Sequence, residues 1–83
     1  MMQPYYIYKI NEHYKVFKGT PKSENDFIVK SLNKTFNELE KIVKEEFDKG
    51  NKPMLYMKKE DNKYERIKFT ELIKRYHVTR KKD

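Results

Sequence analysis

Residues 35–53 constrain this chain more than any other stretch. Thr35-Phe36-Asn37-Glu38 spells a capping box, with Thr35 as N-cap and the Glu38 carboxylate placed to reach back to the cap amide. Phe36, Leu39, Ile42, Val43 and Phe47 then recur at helical spacing on one face, while Glu38, Glu40, Lys41, Lys44 and Glu45 cover the other. Gly50 suits the left-handed position that ends a helix, and Pro53 prevents its resumption. A helix from the Thr35 cap to about Lys49 is therefore predicted. Its apolar stripe has to be buried against another element.

The flanking segments supply a sheet. Residues 5–10 and 14–18 are dense in β-favouring side chains, and Asn11-Glu12-His13 between them has turn chemistry. With Gly19 and Pro21 closing the second segment, they predict an antiparallel hairpin. Residues 22–25 read as a polar loop, and residues 27–32, centred on Ile28 and Val29, as a third strand. Residues 54–59 and 64–69 predict a second hairpin turning at Asp61-Asn62-Lys63. Thr70 can cap a short last helix over residues 71–77, with Leu72, Ile73 and Tyr76 as its stripe.

The predicted order is βββαββα and the class α+β. It is a mainly antiparallel sheet of four to five strands, with one amphipathic helix and a short C-terminal helix on one face. A chain of 83 residues is one domain, here expected over residues 1–79 with a frayed basic tail at 80–83. Charged residues make up 40% of the chain, which raises disorder as an alternative. The periodic apolar blocks across residues 5–76 argue against it.

Several chemistries lack their parts. There is no cysteine, hence no disulfide, thiol nucleophile or cysteine-held zinc. His13 and His77 are far apart, without acids at ligand spacing, and both are expected at the surface. Ser23 and Ser31 lie in no nucleophile motif, and two glycines cannot write a phosphate-cradling loop. The adjacent acids Glu45 and Glu46 do not converge and are expected on the solvated side of the helix. No enzyme, cofactor or metal is predicted. No signal peptide is read at the N-terminus, and no apolar run approaches the roughly 20 residues a membrane span needs, so a cytoplasmic protein is expected.

The charge is uneven. Residues 1–50 carry nine Lys against eight acids, whereas residues 51–83 carry eleven Lys and Arg against five acids. Such asymmetry points to a polyanionic partner. A Lys-rich solvated surface is the plainer alternative, since only three of the twenty basic residues are Arg. The second hairpin sharpens the question. Alternation places Leu55, Met57, Ile67 and Phe69 on one face, and Tyr56, Lys58, Tyr64, Arg66 and Lys68 on the other. Rings interleaved with cations suit single-stranded nucleic acid, because bases stack on rings while Lys and Arg meet phosphates. Lys74 and Arg75, near the end of the last helix, would assist, although cations there also complement the helix dipole.

The expected function is a small basic nucleic-acid-binding module, tolerant of sequence and serving DNA or RNA processing. Its partner is nucleic acid or a larger nucleic-acid-processing protein. The rival is an accessory subunit or inhibitor that docks on a larger protein through exposed Tyr. In the first hairpin Ile7 and Val16 are expected in the core. Whether Tyr5 or the Tyr6/Tyr8 pair shares that side is open in the sequence.

Overall fold

The structure is a computed structural model that describes residues 1–59 and 63–81, with side chains to Tyr76. It is an α+β fold with a five-stranded, mostly antiparallel sheet in the order β3-β2-β1-β4-β5. The strands are β1 (Met2–Ile10), β2 (His13–Lys18), β3 (Leu32–Thr35), β4 (Lys52–Lys58) and β5 (Tyr64–Ile67). The helices are α1 (Glu24–Lys30), α2 (Phe36–Asp48) and α3 (Phe69–Lys81).

The first hairpin turns through Asn11 and Glu12. Asn11 adopts a left-handed φ of 55°, which its short polar side chain tolerates. His13 pairs with Ile10 and so opens β2 rather than belonging to the turn.

The predicted third strand is displaced. Residues 24–30 are helical, and the strand begins only at Leu32. The signal was local: Ser23-Glu24-Asn25-Asp26 has the spacing of an N-terminal cap. The Ser23 hydroxyl accepts from the Asp26 amide at 3.1 Å, and the Asp26 carboxylate accepts from the Lys22 amide at 2.9 Å. These caps, with Glu24 and Asp26 in the first turn and Lys30 in the last, outweigh the β preference of Ile28 and Val29. Both of those side chains are exposed, and Phe27 alone is buried from this helix.

Helix α2 follows β3 without a loop, so that Thr35 ends the strand and caps the helix. Both halves of the capping box form: Thr35 Oγ1 accepts from the Glu38 amide at 3.1 Å, and Glu38 Oε1 accepts from the Thr35 amide at 2.8 Å. The far end closes as a Schellman motif around Gly50, φ 81°. The Asn51 amide donates to the Glu46 carbonyl at 2.9 Å and the Gly50 amide to that of Phe47 at 3.0 Å. The buried stripe differs from the prediction at its last turn. Phe47 is 59% exposed, and Glu46, expected in solvent, is buried beside Val43.

From Gly50 the chain returns as β4, which runs parallel to β1 with Tyr6 opposite Tyr56 and Ile7 opposite Met57. This is the parallel pair of the sheet, formed after α2 carries the chain from the β3 edge across to β4. The second hairpin forms as predicted, closed by the Lys59 amide on the Lys63 carbonyl at 2.7 Å. Asp61 and Asn62 of its predicted turn lie outside the described residues. Strand β5 stops at Ile67, two residues earlier than expected. The Lys68 carbonyl then accepts from the Glu71 and Leu72 amides, which puts Phe69 and Thr70 inside the first turn of α3. That helix passes His77 and runs to Lys81, so Arg80 and Lys81 are helical rather than a frayed tail. Lys82 and Asp83 lie outside the described residues.

The main core lies between one sheet face and helices α2 and α3. Tyr5, Ile7, Tyr14, Val16, Leu55 and Ile67 meet Phe36, Leu39, Val43 and Leu72. The Phe36 ring stacks on Tyr76 at 4.0 Å and lies 6.2 Å from the Phe69 ring. Helices were expected on one face, yet Phe27 of α1 packs on the opposite one.

Candidate nucleic-acid interface

Strand register builds the opposite face into two neighbouring rows. Lys15 pairs with Tyr8, and Lys58 with Tyr64. In the next row Phe17 pairs with Tyr6, Tyr6 with Tyr56, and Tyr56 with Arg66. The parallel β1–β4 pairing joins the halves of each row, with Lys58 Nζ 5.2 Å from the centroid of the Tyr8 ring, a cation–π contact. Tyr5 takes the main core, and Tyr6 and Tyr8 therefore take this face.

The rings pack on one another. Tyr6 stacks on Tyr56 at 4.7 Å and 18°, and meets Tyr64 edge-on at 4.7 Å. Phe27 of α1, 2% exposed, lies 6.2 Å from Phe17 and 6.3 Å from Tyr64. One short helix thus closes a second, aromatic core over the middle of the face. Burial pushes the Tyr64 phenol up, and the negative charge of Glu24 adds to the effect. Tyr8 lies toward the open end and is 38% exposed, next to the exposed Ile10.

The cations are used differently. Lys58 is held by Glu24 of α1 at 3.5 Å. Arg66 is exposed, touches the Met54 sulfur at 3.3 Å, and has no carboxylate partner among the described residues. Lys15 is half-buried and likewise lacks an acidic partner among the described residues.

The seven residues singled out by sequence do not converge on one surface. Tyr56, Lys58, Tyr64 and Arg66 share this face, with Tyr56 and Tyr64 half-buried in the ring cluster instead of standing free. Lys68 is exposed at the β5–α3 junction. Lys74 and Arg75 lie across the sheet, lining a cleft of about 600 Å³ with Lys9 and Tyr14. Arg75 is paired there with Glu71 at 3.2 Å and Glu65 at 3.8 Å. Tyr6, Tyr8, Phe17 and Lys15 belong to the face and were missed. Their alternation in the first hairpin was visible, but the pairing of β1 with β4 was not.

His13 is exposed at the start of β2, and the His77 side chain lies outside the described residues. Among the described residues no group of three or more His, Asp or Glu side chains is gathered to hold a metal ion, and no helix is long and apolar enough to cross a membrane. Comparisons with known protein families, curated proteins and solved structures found no match to this chain.

Proposed function

We propose that the protein is a small basic module that holds single-stranded nucleic acid, without a sequence code, on the tyrosine face of its sheet. It would serve as an accessory factor to DNA or RNA processing in the cytoplasm. The observation that supports this is the alternation of rings and cations across two adjacent rows, Lys15–Tyr8–Lys58–Tyr64 and Phe17–Tyr6–Tyr56–Arg66. Because α1 covers the centre, the strand would follow the open margin. Tyr8 offers a ring to a base, the edge of Tyr56 offers a second contact, and Lys15, Lys58, Arg66 and Lys68 meet phosphates. Phosphate would compete with Glu24 for Lys58. Lys74 and Arg75 are reached only by a strand long enough to pass Lys68 and turn around the β5 edge.

Fluorescence anisotropy with a labelled single-stranded oligonucleotide at two salt concentrations tests this reading. Binding should weaken steeply with salt, and Lys15→Ala and Arg66→Ala should each lower the slope of log affinity against log salt by about one unit. No binding at low salt would reduce the face to a folded aromatic layer. The rival, docking on a larger protein through Tyr, finds its support in the neighbouring exposure of Tyr8 and Ile10. An interface of that kind responds weakly to salt.

A further inference from the structure

A second surface lies at the β3 edge of the sheet. There β3, β2 and α2, with Tyr5 of β1 and the end of α1, enclose a groove of about 410 Å³, lined by Tyr5, Val16, Phe17, Leu32 and Ile42 and rimmed by Lys18, Lys30 and Lys34. Leu32 is 61% exposed, a large apolar side chain on an edge strand whose outer backbone has no neighbour in the sheet. The strand itself, Leu-Asn-Lys-Thr, contains no acid. Lys18 and Lys34 have no carboxylate within ion-pair distance among the described residues, while Lys30 is paired within α1 to Asp26 at 3.2 Å. Two of the nearby acids of α2 are already engaged: Glu46 by Tyr5 and Asn51, and Glu38 by the Thr35 amide.

We propose that this groove receives an extended acidic segment of a partner protein, which adds beside β3 and places an apolar side chain on Leu32. Three features select that occupant. The open edge offers main-chain hydrogen bonds to an incoming strand. The largely apolar floor accepts an apolar side chain at every second position of that strand. The lysine rim is complementary to carboxylates. A second copy of this chain fits poorly, because symmetric pairing at β3 would bring the lysine rims together. Nucleic acid is also disfavoured, since of the two rings lining the groove Tyr5 is buried and Phe17 is half-buried and packed against Phe27.

The test is an amide-shift titration of the isotopically labelled full chain with a capped hexapeptide alternating aspartate and leucine. Controls are the same peptide with lysine for aspartate and a single-stranded oligothymidylate. The aspartate peptide should shift the amides of Leu32–Thr35 and Lys18, and the lysine peptide should not. Lys18→Glu and Lys34→Glu should each weaken binding about tenfold, as expected when an attractive charge contact becomes repulsive. Leu32→Asp should abolish binding with an unchanged circular dichroism spectrum, because the side chain is exposed. The proposal is overturned if these amides stay still up to millimolar peptide, or if both peptides shift them alike. Stronger shifts with oligothymidylate would assign the groove to nucleic acid. A concentration-dependent dimer in sedimentation that Leu32→Asp dissociates would assign it to a second copy. Tyr8→Ala, which leaves this groove intact, should weaken oligonucleotide binding and spare the peptide, so the two readings fail separately.

Discussion

The Tyr5 hydroxyl donates a 2.6 Å hydrogen bond to Glu46 Oε2, joining the Tyr5–Leu55 pair of the core to the last buried turn of α2. Asn51 Nδ2 donates to the other carboxylate oxygen at 3.3 Å. A carboxylate only 3% exposed is therefore held by neutral donors, with no cation within ion-pair distance among the described residues. The Tyr5 bond, followed by that of Asn51, holds the Glu46 carboxyl below the usual range. Burial, then the bond to Glu46, pushes the Tyr5 phenol well up.

Removing one donor should expose the cost of that buried charge. Tyr5→Phe is expected to lose about 1.5–3 kcal/mol, the range for a hydrogen bond to a charged group. Urea midpoints followed by circular dichroism measure it, and a loss near zero would show that water replaces the phenol without penalty.

The pair also sets a pH dependence. The folded carboxyl titrates lower than an unfolded one, so its stabilisation is complete above the ordinary glutamate value of about 4.3. It drains away as pH falls toward the folded value. The folded phenol titrates higher, so its contribution holds below about pH 10 and is lost as pH rises beyond. Urea midpoints across pH should show a flatter acid limb in Glu46→Gln and a flatter alkaline limb in Tyr5→Phe than in the wild type.

Two apolar residues of α2 should behave oppositely. Leu39 is fully buried in the main core, and Leu39→Ala should cost about 2–5 kcal/mol. Phe47 was read from the sequence as part of the same stripe, but it is largely in solvent. Phe47→Ala should stay within about 0.5 kcal/mol, as surface substitutions usually do. Equal losses at the two sites would refute the orientation of α2.

The aromatic layer under α1 is a second core and should respond to mutation as one. Phe27→Ala should cost about 3–5 kcal/mol, the range for removing a buried Phe, whereas Val29→Ser on the same helix should be close to neutral. Near-ultraviolet circular dichroism should report the loss of tyrosine packing in Phe27→Ala alone.

Local chemistry was enough to define α2, because the capping box, the apolar spacing and Gly50 all act within a few residues of one another. The two hairpins and the inward placement of Leu55, Met57 and Ile67 followed in the same way, from period-two alternation and turn residues. The helix at Glu24–Lys30 was also written locally, in Ser23 and Asp26, but Ile28 and Val29 concealed it by their β preference. The rest depended on partners distant in sequence. Nothing near Tyr6 announces that it will lie against Tyr56, since a parallel β1–β4 pair is made only after α2 has carried the chain across the sheet. That pairing decided that Tyr5 enters the main core, that Tyr6 and Tyr8 share a face with Lys58 and Arg66, and that Lys74 and Arg75 lie on the opposite side. The burial of Glu46 was equally hidden. A glutamate on a helix is solvated by default, and only the arrival of the Tyr5 hydroxyl and the Asn51 amide makes its burial affordable.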